Sequence, residues 1–201
     1  MIRLNKYGFI DRLKIRYNLF FLYLKTSGNV EINNWNKRTF NEFYSMYYWI
    51  KRGSLMEEYL WQMMEEKAVD FESMESMLIL SIYQLQSLCH SGCCHSQGET
   101  AKLQDRFRKT KDNLVNKLLS QDHSFGEWQS LSHSLYLACD KRDQEDGKLQ
   151  GVVLQKCADK ASANFDWTLV LSLAIVQKQS EIADLASMKI FGVKVPQTNK
   201  T

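Results

Sequence analysis

Apolar residues along this chain recur mostly at intervals of three and four. The clearest run is residues 70–95, DFESMESMLILSIYQLQSLCHSGCCH. Phe71, Met74, Leu78, Ile82, Leu85 and Cys89 fall on one stripe of a 3.6-residue helix. Ile79, Leu80, Tyr83 and Leu88 add apolar surface on other sides, so this helix is expected inside a bundle, with neighbours on more than one face. Asp70 suits the N-cap, Glu72 the positive end of the helix dipole, and Gly92 the left-handed position after the last turn.

The same spacing marks the other elements. Ile10, Leu13, Tyr17, Phe20 and Leu24 stripe a first helix over about 9–25, with Lys14, Arg16 and Lys25 off the stripe. Residues 29–38, NVEINNWNKR, read as a loop or a short extended piece. Thr39 with Glu42, and Ser54 with Glu57, are capping boxes. The first opens a helix carrying Phe40, Phe43, Tyr44, Tyr47 and Ile50 that stops at Gly53; the second opens a helix over 54–67 at once. A helix, a glycine and a fresh cap predict an αα-hairpin. Leu103, Phe107, Leu114, Leu118 and Leu119 mark a long helix over 99–121. Ser124 caps the next, with Phe125, Trp128, Leu131, Leu135, Tyr136 and Cys139 inward. DKRDQEDGK, 140–148, reads as a charged connecting loop, and Leu149, Val152, Val153, Cys157 and Ala161 as a shorter helix. Asp166 is expected to cap WTLVLSLAIV, buried by its composition, and Ser180 to cap SEIADLASMKIF, which ends at Gly192.

Composition agrees with this pattern. The chain has 201 residues, 44% hydrophobic and 12% aromatic, with one proline and nine glycines. It can bury a substantial core, and the scarcity of breakers favours helices over strands and turns. The expected fold is all-α: a compact array of roughly eight or nine helices built from αα-hairpins. Residues 1–192 form one helical domain, with sub-lobes at 1–139 and 149–192 if the connector divides it, and 193–201 a loose tail.

Charge is unevenly placed. Residues 1–52 carry ten Lys/Arg against three Asp/Glu, and 53–99 one Lys against eight Asp/Glu. Such blocks either face each other or offer two surfaces to partners. Five cysteines, two of them adjacent, make a poor disulfide framework and suit a reducing compartment. The apolar run LFFLYL is too short for a signal peptide, and no uninterrupted stretch is long enough for a membrane span. The expected location is the cytoplasm.

The helix over 54–67 is two-sided. Met56, Tyr59, Leu60, Met63 and Met64 fill one half of the wheel; Glu57, Glu58, Gln62, Glu65 and Glu66 fill the other. The acidic arc is either a solvated surface or a docking face for a basic partner. Nothing in its surroundings suggests the burial that would divide two carboxylates into acid and base.

Cys89, His90, Cys93, Cys94 and His95 crowd five thiol and imidazole groups into seven residues. Zinc could draw on Cys89, Cys93, Cys94 and His95, and a cysteine nucleophile could use a histidine base. A tetrahedral ion is poorly closed by ligands this crowded, and no second pair stands at ligand spacing elsewhere. The plainer reading is a helix end with buried thiols and exposed imidazoles. No phosphate loop, dinucleotide glycine pattern or nucleophile elbow is present. The expectation is therefore a protein without metal or cofactor, and not an enzyme.

FDWTLVLSLAIVQKQSEIADLASM, near the C-terminus, resembles the apolar-helix, polar-turn, helix hairpin of all-α immunity proteins from polymorphic bacterial toxin systems, contact-dependent or type VI. The resemblance covers about 25 residues. It implies a small cytoplasmic protein that binds and neutralises a cognate toxin domain, and it carries over no binding residues; the acidic arc, read from the helix wheel, is the face expected to meet a basic cleft. The alternative is a regulatory or adaptor protein, a secretion-system or phage accessory factor, contacting partners or nucleic acid through the basic N-terminal helix. The acidic block that follows that helix argues against a continuous phosphate-binding surface.

Overall fold

Side-chain caps set the start of most helices, and apolar stripes then decide which face is buried. A computed structural model describes Gly8, Ile10 and residues 39–48, 50, 54–90, 97–140 and 143–192. All regular structure among the described residues is helical. The elements are α1 (Phe40–Tyr47), α2 (Leu55–Lys67), α3 (Phe71–His90), α4 (Gln97–Ser120), α5 (Phe125–Ala138), α6 (Gln144–Lys160), α7 (Asn164–Val176) and α8 (Ser180–Phe191). The basic helix expected over 9–25, apart from Ile10, lies outside the described residues. So do the 29–38 segment, Gly92, Cys93, Cys94, His95 and the tail from 193.

The caps follow the sequence closely. Thr39 accepts from the Glu42 amide while Glu42 reaches back to the Thr39 amide, and Ser124 and Glu127 do the same for α5. The Asp70 carboxylate accepts from the Ser73 amide at 2.8 Å and opens α3. Gly192 takes the left-handed conformation, φ 72°, and its N–H reaches the Met188 carbonyl. Only glycine adopts that backbone without strain.

Six expectations need correction. Helix α1 ends at Tyr47, so Ile50 is not part of it. The connector is shorter than 140–148, because Asp143 caps α6 and Gln144 begins it. Its acidic composition concealed an N-terminal first turn, where Glu145 and Asp146 suit the dipole. Helix α7 starts at Asn164, and Asp166 caps it from inside by accepting from the Ser162 and Ala163 amides. Likewise Ser180 is the first residue of α8, with Gln179 before it. Nor is α7 buried all round: Val170, Leu173 and Ala174 are inside, while Phe165, Ile175 and Val176 face solvent. Val152, expected inward on α6, is also exposed.

The chain divides into two compact units that interleave in sequence. One comprises residues 1–77 and 93–106, the other 78–92 and 107–201. The division does not fall at 140–148, which lies inside the second unit. In the first unit α1 packs on α2 as the expected hairpin. Its core is rich in aromatics and methionine: Phe43, Met46, Tyr47, Leu60, Trp61 and Met64 are buried. Burying each such side chain contributes roughly 1.5–3 kcal/mol. In the second unit α5 packs on α6 and α7 on α8. Trp128, Leu131, Leu135, Val153, Leu154, Cys157, Val170, Ala174 and Ala186 are buried there. Gln177 stitches that core by donating from Nε2 to the Ser132 carbonyl and hydroxyl oxygens, at 3.1 and 2.9 Å.

A candidate protein-binding face

Helix α2 is more deeply embedded than its sequence suggests. Met56, Glu57, Tyr59, Leu60, Trp61 and Met64 are all buried. What remains outward is a narrower arc, roughly 100° wide at 100° per residue. It carries Glu58 and Gln62, half-buried, with Glu65 and Glu66, exposed. The Gln62 amide donates to Glu58 Oε1 at 3.3 Å. Leu55 is exposed at the start of the helix and Val69 just past its end.

Glu57 does not belong to that arc. Its side chain is 1% exposed and turned inward. It accepts from the Tyr47 hydroxyl at 2.7 Å. Arg106 Nη2, from the N-terminal half of α4, stands 3.3 Å from its Oε1. The guanidinium also lies 5.5 Å from the centroid of the Trp61 ring, whose face attracts a cation. The Trp61 ring in turn packs at 5.5 Å against Tyr47. Burial of a carboxylate requires such partners, because an uncompensated buried charge costs several kcal/mol. The Ser54 cap survives, with its hydroxyl accepting from the Glu57 amide at 3.2 Å. The capping box expected of Ser54 and Glu57 forms only its Ser54 half, because the Glu57 carboxylate turns inward to Tyr47 and Arg106 rather than back to the Ser54 amide. Trp61 was the available signal: a large aromatic on the polar side of a two-sided helix seldom stays in water.

The remaining carboxylates are placed against local helix electrostatics. Glu65 and Glu66 sit in the last turn of α2, where the dipole disfavours negative charge, and Lys67 is the basic residue of that turn. Immediately beyond, Glu72 is exposed and Glu75 half-buried at the start of α3. Asp70 is held below the usual carboxylate range chiefly by the Ser73 amide. Glu58, Glu65 and Glu66 on α2, with Asp70 and Glu72 just beyond it, give this stretch its acidic character, and Leu55 and Val69 add exposed apolar groups at the ends of the helix.

Chemistry elsewhere is muted. Burial pushes the Cys139 and Cys157 thiols up to about 12, so neither supplies the thiolate a nucleophile needs. His123 is buried edge-on to Trp128, with Nε2 3.1 Å from the Leu118 carbonyl, while His133 is exposed. Lys111 and Asp146 form a second inward ion pair at 2.8 Å, and the Asp140 amide donates to the other Asp146 oxygen. Burial alone would lower the Lys111 value, but the bond to Asp146 and its charge outweigh it and hold the ammonium above its ordinary range. An apolar gap lined by Leu78, Val115, Leu118, Leu131, Leu149 and Val153 is too small to admit water. Of the metal candidates, Cys93, Cys94, His95 and the Cys89 side chain lie outside the described atoms. Among the described residues no three His, Cys, Asp or Glu side chains gather as a metal site would need, and no helix is long and apolar enough to cross a membrane.

Comparison of the chain with protein-family models, curated proteins and solved structures finds no match.

Proposed function

We propose that this chain is a protein-binding inhibitor, an immunity protein that neutralises a toxin domain by covering a basic surface with the outward arc of α2. The observation that carries the reading is the arc itself. Glu58, Gln62, Glu65 and Glu66 share one narrow outward stripe, two of them in the last turn, where the helix dipole disfavours negative charge. Local rules are most often broken where function demands it. Exposed Leu55 and Val69 at the two ends supply the apolar contact that acidic residues alone lack.

An acidic face against a basic cleft speeds association and makes it salt-sensitive. The partner would first be recovered by pull-down from the native host. Association of that partner with the wild type and with Glu58→Lys/Glu65→Lys would then be followed at low and high salt. The double reversal is expected to slow association at least about tenfold at low salt, and the gap should shrink as salt screens it. An on-rate that ignores both reversal and salt would remove α2 from the account.

A further inference from the structure

We propose that α8 pairs antiparallel with α8 of a second copy of this chain. Helix α8 buries Ile182, Ala183, Ala186 and Ser187 on one side. The opposite side presents Glu181, Leu185, Met188 and Phe191, with exposed Lys189 at its edge next to Ile182. Leu185 is 37% exposed, Met188 49% and Phe191 66%. Glu181, Leu185 and Met188 stand at the i, i+4, i+7 spacing by which one helix meets another. Helix α7 of the same hairpin adds exposed Phe165, Ile175 and Val176.

The charges say what kind of surface would cover this stripe. Glu181 lies in the first turn of α8 and Lys189 in the last, four residues before and four residues after Leu185. At 100° per residue they flank Leu185 symmetrically. A two-fold axis through Leu185 therefore sets Glu181 of one copy against Lys189 of the other, and the reverse, while the two Leu185 side chains meet at the centre. This register is self-complementary, which is the requirement of an isologous contact. A parallel pairing would oppose like charges. The Lys189 ammonium, 5.9 Å from the Trp167 ring centroid, is steadied at the stripe's edge.

The test is the solution mass of the full chain, by sedimentation or light scattering, from about 1 to 100 μM, the span in which weak complexes dissociate. The wild type is expected to approach twice 23.6 kDa as concentration rises. Leu185→Asp, at a partly exposed site, should keep its helical circular dichroism and raise the dissociation constant at least about tenfold. Glu181→Lys or Lys189→Glu alone puts like charges at both symmetric contacts and should weaken the dimer by roughly three- to tenfold. The double exchange, Glu181→Lys with Lys189→Glu, should restore it. A monomer at every concentration, a dimer indifferent to Leu185→Asp, or single reversals no weaker than the double exchange each overturn the proposal.

Discussion

Replacing Glu57 by alanine should damage the fold, although the residue sits in a helix otherwise rich in surface carboxylates. The carboxylate is 1% exposed, bonded to the Tyr47 hydroxyl at 2.7 Å and 3.3 Å from Arg106 Nη2. Truncation removes the acceptor of the Tyr47 hydroxyl and the counter-charge of Arg106, whose side chain is only 21% exposed. Losing a hydrogen bond to a charged group costs roughly 1.5–3 kcal/mol. Stranding the other member of a buried pair brings the total to about 3–5 kcal/mol. Arg106 can still reach water and the Trp61 face, so the lower end, about 3 kcal/mol, is expected. Glu57→Gln keeps the shape and an acceptor for Tyr47, and should cost about 1–2 kcal/mol. Replacing both charges together, Glu57→Met with Arg106→Met, should cost less than Glu57→Ala alone, because no charge is left stranded. Because the chain has two compact units, a single global transition is not assured. The assay is therefore urea unfolding followed by circular dichroism together with hydrogen exchange at α2 amides. A Glu57→Ala penalty below about 0.5 kcal/mol, the range of ordinary surface substitutions, would refute the reasoning.

Two further outcomes concern pH. Asp70, Glu127 and Asp166 are each held below their ordinary values, chiefly by backbone amides at helix starts. A depressed folded-state value means stability that is present above the unfolded value near pH 4 and lost as pH falls through the folded one; Asp70→Asn, Glu127→Gln and Asp166→Asn together should flatten the acid limb of the thermal-unfolding profile. Lys111 is raised in the folded state, so its contribution is complete below the unfolded value near 10.4 and is lost as pH rises through the folded one. Asp146→Asn should cost about 1.5–3 kcal/mol at pH 7, and its deficit relative to wild type should narrow above about pH 10.4; a constant gap across that range would show that Lys111 does not titrate against Asp146.

Most helix boundaries were legible because the signals were local. Thr39 with Glu42, Ser124 with Glu127, and Gly192 each act within one turn, so adjacent letters suffice. The exceptions share a cause. DKRDQEDGK looked like a loop because its charges were read as solvated, yet Asp146 is buried against Lys111, 35 residues away in sequence. Glu57 looked outward because Arg106 is likewise remote. A buried charge is invisible to periodicity, since the partner that permits its burial lies on another helix. The reverse error occurred in α7. Its apolar composition implied burial on all sides, but composition reports what a surface would prefer to touch and not what is there to touch it. Phe165, Ile175 and Val176 are the result. On the candidate face, Glu58, Gln62, Glu65 and Glu66 lie on the outward side of α2 and Glu57 does not; the choice between solvated surface and docking face belongs to experiment.

The interleaving of the two units has a practical consequence for anyone dividing this protein. Helix α3 passes from one unit to the other after Met77, and α4 passes after Arg106, both in mid-helix. No single cut therefore releases either unit whole, and a truncation that runs past residue 77 from the N-terminus or past residue 107 from the C-terminus removes part of both. During synthesis the first unit cannot close until residue 106 has emerged, because Arg106 brings the counter-charge for Glu57. By then residues 78–92, which belong to the other unit, are already out. The N-terminal unit must wait for a segment that arrives after part of its neighbour, so order of emergence and order of completion differ along this chain.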